Sequence, residues 1–215
     1  MRLGGRFGEL HCTTLNFAET GAQEDLELTR RLTTEFDAIN ESSPVPVPAC
    51  PYCGNKDNRI LVLTRTAFPR FGCPVCSRNF SRRTGTVFGK TKRPNLDAMR
   101  QSIRYLSLPL SCVQVADEVG VFDATYIERW RDMFAALADE LAQDGSLLSH
   151  IRLGVEPTPA TPCPNCGRMG VARRSNAGIW TCAGCGRLFS MRRTVIERDG
   201  RLEIVDGQPV REMKT

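Results

Sequence analysis

Cys50-Pro51-Tyr52-Cys53-Gly54 and, with nineteen residues between Cys53 and Cys73, Cys73-Pro74-Val75-Cys76 decide how this chain is read. Two residues between cysteines let one tight turn aim both sulfurs at a single point. Each turn supplies half of a four-sulfur site, and the residues between them leave room for strands that fold one turn back onto the other. The pattern recurs. Cys163-Pro164-Asn165-Cys166-Gly167 repeats the first turn, and Cys73, Cys76, Arg78, Phe80, Ser81 and Arg83 align without a gap on Cys182, Cys185, Arg187, Phe189, Ser190 and Arg192. Duplication of one small unit accounts for both blocks.

Eight of the ten cysteines therefore fall into two sets of four, and the expectation is two structural Zn2+ ions. Cys50, Cys53, Cys73 and Cys76 would hold the first, and Cys163, Cys166, Cys182 and Cys185 the second. Zinc accepts four thiolates in a tetrahedron, and four protein ligands leave no position open for a reacting water. Blocks of roughly 40 residues rarely bury enough apolar surface to fold alone. Apparent zinc binding of about 10 to 16 kcal/mol supplies that folding free energy. Cys50-Pro51-Tyr52-Cys53 also matches the active-site tetrapeptide of glutaredoxins, whose thiolate sits at a helix N-terminus. Gly54-Asn55-Lys56-Asp57-Asn58 starts no helix and no βαβ pattern surrounds it, which disfavours that reading. Cys112 reads as a small packing residue, while Cys12, His11 and His150 suggest no catalytic set.

Charge follows the same division. The net charge of +5 resolves into −4 over residues 1–49, +7 over 50–134, −3 over 135–162 and +5 over 163–215, so both cysteine blocks lie in basic pieces. That distribution suits a polyanionic partner. No run of 18 apolar residues exists to span a bilayer, and the N-terminus lacks the apolar stretch of a secretory signal, so a cytoplasmic location is expected.

Between and around the cysteines the periodicity is helical. Leu28, Leu32, Phe36 and Ile39 place an amphipathic helix over residues 24–39, with nothing local to bury its stripe. It must pack on the central helices or pair with its counterpart in a homodimer. Pro44, Pro46 and Pro48 then make an extended linker. Residues 60–63 and 68–71 read as a hairpin. A helix starting near Asn95 carries Met99, Ile103 and Leu106, and Ser111 caps a second with Val113, Ala116 and Val119 on one face. Gly120 supplies its left-handed end, and Asp123 caps a third helix that buries Ile127, Trp130, Phe134, Leu137 and Leu141. A second proline-bearing connection, 156–162, precedes the second block, and Asp199-Gly200 marks a closing hairpin. The fold class expected is α+β, in small metal-stabilised domains. Two zinc ribbons, each with four cysteine ligands, flank a three-helix helix-turn-helix segment: 1–44 acidic, 45–92 first ribbon, 93–150 helices, 151–215 second ribbon with hairpin.

Residues 50–134 resemble the zinc-ribbon plus helix-turn-helix region at the N-terminus of bacterial insertion-sequence transposases and transposase-like proteins. The resemblance rests on Cys73-Pro74-Val75-Cys76, on Asn79-Phe80-Ser81, and on Arg83-Thr84-Gly85-Thr86-Val87-Phe88. It continues through Val115-Ala116-Asp117-Glu118-Val119-Gly120-Val121 and Arg129-Trp130. Phe122 makes the turn one residue longer than the family's, and Tyr126 stands at its usual Thr position. No RNase H-like catalytic domain follows, and Asp139, Glu140 and Asp144 read as a solvated acidic patch.

The resemblance implies a non-enzymatic protein that binds double-stranded DNA, transposase-like or a regulator, with no small-molecule substrate. Thr125, Tyr126 and Arg129 would face base edges, and Arg78, Arg82, Arg83, Lys90, Lys92 and Arg93 would contact phosphates. The alternative is a ribbon module that docks a protein or RNA, its arginines a solvated surface.

Overall fold

Asp25 ends an extended stretch and turns its carboxylate onto the Glu27 and Leu28 amides, starting helix α1 (Leu26–Ile39). Every member of the apolar stripe on α1 is buried. The computed structural model describes residues 21–61, 68–89, 95–175 and 179–205. After α1 come strands β1 (Arg59–Ile60), β2 (Phe71–Gly72) and β3 (Asn79–Phe80), forming one antiparallel sheet in that order. Helix α2 (Leu96–Ser102), capped by Asn95, tightens into a 3-10 turn at Ile103–Tyr105. Helices α3 (Cys112–Glu118) and α4 (Ala124–Leu141) follow, capped by Ser111 and Asp123. Strands β4 (Ala172–Arg174) and β5 (Trp180–Cys182) pair in the second cysteine block, and β6 (Val195–Arg198) pairs with β7 (Arg201–Ile204). The expected hairpin of 60–63 with 68–71 keeps its register where it is described: Ile60 pairs with Phe71, the Leu61 N–H donates to the Arg70 carbonyl at 2.9 Å, and Arg59 with Gly72 adds one pair, while residues 62–67 lie outside the described set.

The core belongs to the helices. Phe36 of α1, Phe134 of α4 and Phe88, which follows β3, form an aromatic triangle with ring centroids 5.4 to 5.7 Å apart. Of the two ways to cover the stripe on α1, the chain uses packing on its own central helices. Phe88 carries the first cysteine block into the same core, since its side chain is 1% exposed. The expected face of α3 is only partly met. Val113 is 48% exposed, while Gln114 and Val115 are buried. This short helix is covered on two sides, by α4 and by the segment that enters β6, so no single stripe describes it.

Gln114 makes the second join. Its side-chain amide donates to the Arg193 carbonyl at 2.7 Å and accepts from the Arg193 N–H at 2.9 Å, copying a strand-to-strand pair inside the protein. Beyond it, Asp199 and Gly200 take φ of 53 and 75, the backbone of a type I′ turn, and β6 and β7 close over the helices. Leu202 and Ile204 join the helical core. The buried Glu24 carboxylate accepts from the Leu202 N–H and pairs with Arg104, which ties the start of α1 to the hairpin. Among the described residues no helix is long and apolar enough to cross a membrane.

Gln114→Ala should lower unfolding free energy by about 2 kcal/mol, because it strands two buried backbone groups of Arg193. Denaturant titration reads that loss, and a change within error would mean water replaces the amide there.

Candidate metal centres and the helical surface

Each cysteine block folds its two turns onto one point. In the first, the Cys50 carbonyl accepts from the Gly54 N–H at 2.8 Å, and the Cys73 N–H reaches the Arg78 carbonyl at 3.0 Å. In the second, Cys163 and Cys182 carbonyls accept from Gly167 and Gly186, both at 2.8 Å. β2 and β5 lead directly into Cys73 and Cys182, so the sheets set the distance between the half-sites. Phe71 and Phe80 back the first site, 5.6 Å apart, and Phe189 and Met191 back the second.

Two groups of four sulfurs result, Cys50, Cys53, Cys73, Cys76 and Cys163, Cys166, Cys182, Cys185, each within 4.8 Å of one another. Across the turns the sulfurs stand 3.6 Å (Cys50 to Cys76), 3.5 Å (Cys53 to Cys73), 3.9 Å (Cys163 to Cys185) and 3.7 Å (Cys166 to Cys182) apart. A disulfide needs about 2 Å. A tetrahedral metal with sulfur at about 2.3 Å implies edges of roughly 3.8 Å. The geometry fits a metal ion in each cluster.

Electrostatics give the same answer. The Cys76 amide points at the Cys73 sulfur at 3.5 Å and draws that thiol down to about 6, against the effect of burial. The Asn55 amide favours the Cys53 thiolate, yet neighbouring sulfurs, Cys73 first, push it up to about 12. Burial opposes ionisation of Cys182, but the Cys185 and Gly184 amides bring it to about 7. Four sulfurs in contact cannot all ionise without a cation among them, which a metal ion supplies. Cys112 behaves differently. It is buried at the start of α3 and burial pushes its thiol up to about 11, as expected of a packing residue.

The turns share one backbone requirement. Gly54, Gly167 and Gly186 follow the second cysteine of three turns with φ of 70 to 76, and the fourth turn places Ser77 there at φ 56. The left-handed conformation favours glycine. Cys50-Pro51-Tyr52-Cys53 opens no helix, because Gly54 turns the chain toward β1, so the helix N-terminus that activates a glutaredoxin thiolate is not at this tetrapeptide.

The structure separates the basic residues that the sequence grouped together. Arg83 is buried, its guanidinium donating to the Phe88 carbonyl at 2.7 Å and stacked over Phe68. Arg82 donates to the Ser43 and Pro46 carbonyls at 3.1 and 2.6 Å and holds the proline linker against the first sheet. Arg83 is thus enclosed, whereas Arg82 is half-buried and spends part of its guanidinium on the linker. Lys90, Lys92 and Arg93, and with them Cys12 and His11, lie outside the described residues. Arg78 is exposed over the Tyr52 ring. On α4, Thr125 and Arg129 are exposed, and Tyr126 is half-exposed with its ring against that of the buried Trp130, centroids 6.1 Å apart. Glu128 instead pairs with Arg174 of β4, which also pairs with Glu156. Arg192 pairs with Asp117, and Arg193 is buried against Gln114. Arg173 and Arg187 remain at the surface, as do Asp139, Glu140 and Asp144.

Residues 98–162 match the family described as Domain of Unknown Function (DUF746). That stretch runs from α2 through α4 to the residue before Cys163. It contains none of the eight clustered cysteines, so the similarity concerns the helical body and not the metal centres. Neither the curated proteins nor the solved structures contain a match to the chain.

Cobalt(II) added to the metal-free protein should give tetrahedral thiolate absorption at two equivalents per chain. Cys53→Ser and Cys166→Ser should each abolish one site. Ser77→Gly should stabilise the metal-bound protein by up to about 1 kcal/mol, read from thermal unfolding, because it removes a side chain from a left-handed position.

Proposed function

We propose that this protein is a zinc-dependent, non-enzymatic DNA-binding protein, transposase-like or a transcriptional regulator, in which α3 and α4 act as a helix-turn-helix and two zinc ribbons brace them. The observation that carries this reading is the outward face of α4. Its first turns hold Thr125 and Arg129 exposed and leave Tyr126 half-exposed against the Trp130 ring, while Trp130, 3% exposed, anchors the helix to the core. A helix offered in this way fits the major groove, where a guanidinium reads guanine through two parallel hydrogen bonds. Gly120, at φ 70, ends α3, and Asp123 restarts the chain as α4 by accepting from the Thr125 N–H. Zinc is the metal that best suits four closed thiolates with no exchangeable position.

A second reading draws on Phe122. This side chain precedes the cap of α4, where an apolar residue commonly folds back on the helix, yet it is fully exposed, and Val113 of α3 and Tyr126 of α4 are about half exposed. An apolar group held out in that manner also suits a protein partner.

Metal analysis should return two zinc per chain. Duplex binding should weaken with salt at a slope of about −0.9 per phosphate contacted. Arg129→Ala should reduce preference for the selected site by about 1–3 kcal/mol, leaving non-specific affinity largely intact. Binding to no duplex, with zinc in place, would move the assignment to the protein-docking reading.

A further inference from the structure

The two cysteine blocks are repeats, and they differ where the first turn reaches solvent. In the second block Asn165 occupies the position of Tyr52, and its side-chain amide is spent on the Leu188 carbonyl at 2.9 Å. In the first block Tyr52 is 48% exposed, and the Arg78 guanidinium lies over its ring, 4.7 Å from the centroid. Arg78 and Arg187 are equivalent positions, and among the described residues only the first block pairs this arginine with an aromatic ring.

The block that carries this stack has a cationic surface. Lys56, Arg59 and Arg70 are exposed on the first block, against a single acid, Asp57, among its described residues. At the tip of the opposite turn Val75 is 69% exposed. We infer that the Tyr52–Arg78 face of the first cysteine block is a stacking platform for an unpaired base of single-stranded nucleic acid, distinct from the duplex-reading face of α4. Bases stack on aromatic rings and on guanidinium planes irrespective of sequence, and basic side chains nearby follow the phosphates. The guanidinium fixes the ring before any ligand arrives, so little side-chain freedom remains to be lost on binding. A protein partner fits less well, because the apolar tips are single residues set among like charges.

The platform is tested on the intact, zinc-loaded protein with three twelve-nucleotide probes: oligo-dT, oligo-rU and an abasic strand of equal length. The abasic strand keeps the phosphates and removes the rings. Wild type should bind oligo-dT about tenfold more tightly than the abasic strand, within the range a stacked base contributes. Tyr52→Ala should abolish that difference and Tyr52→Phe should keep it, both with unchanged zinc content. Arg187→Ala should weaken all probes alike and leave the difference intact. Equal binding of oligo-dT and the abasic strand by wild type would overturn the inference, as would a base dependence that survives Tyr52→Ala. Tighter binding of oligo-rU than oligo-dT, abolished by the same substitution, supports the platform with RNA as its source. Arg129→Ala should leave these readouts untouched, so failure here and failure of the duplex reading are separate results.

Discussion

Four sulfurs brought within 4.8 Å of one another constrain each cysteine block more than any other contact in it. Behind the first cluster the buried residues are two cysteines, Phe71 and Phe80, and behind the second two cysteines, Phe189 and Met191. So few side chains cannot offset the conformational entropy of ordering the surrounding loops, at about 1–2 kcal/mol per residue. The strands are correspondingly short, with two residues each in the first sheet. A metal ion held by the four sulfurs would supply what the apolar contacts lack, and in the first cluster Cys53 is pushed up and Cys73 drawn down until a cation joins them.

Each block is then fixed to the helical body by a different kind of contact. The first uses a ring: Phe88 enters between Phe36 and Phe134, while Arg83 turns inward to hold the Phe88 carbonyl. The second uses a polar pair, Gln114 against the Arg193 backbone, reinforced at the surface by Arg174 with Glu128 and Arg192 with Asp117. Ring packing tolerates small rotations, whereas two hydrogen bonds to one backbone unit specify both distance and direction. The outward face of α4 is therefore held relative to the second block through its own Glu128 as well as through α3.

Much of the architecture is legible in the residues alone. The 3.6-residue period of Leu28, Leu32, Phe36 and Ile39, the caps at Ser111 and Asp123, and the Asp199-Gly200 turn are local signals, and each sits where its chemistry requires. In the first block the register expected of 60–63 with 68–71 is the one observed at Ile60 and Phe71, but pairing also takes in Arg59 and Gly72, which strands this short carry too few side chains to announce. Val113 faces solvent against expectation because α3 is covered on two sides, which a single helical stripe cannot describe. The buried Arg83 reads as surface charge, since sequence records a guanidinium and not the carbonyl it meets.

The sequence by itself determined the eight clustered cysteines, their duplication, and the order of helices between them, because ligand spacing, capping and periodicity act over a few residues. Only the tertiary structure decided what the acidic helix packs against, which arginines stay at the surface, and that Gln114 and Phe88 are the joints of the molecule. Those outcomes depend on residues far apart in the chain, such as Gln114 and Arg193 or Phe36 and Phe134, and the free energy of a contact exists only once both partners are in place.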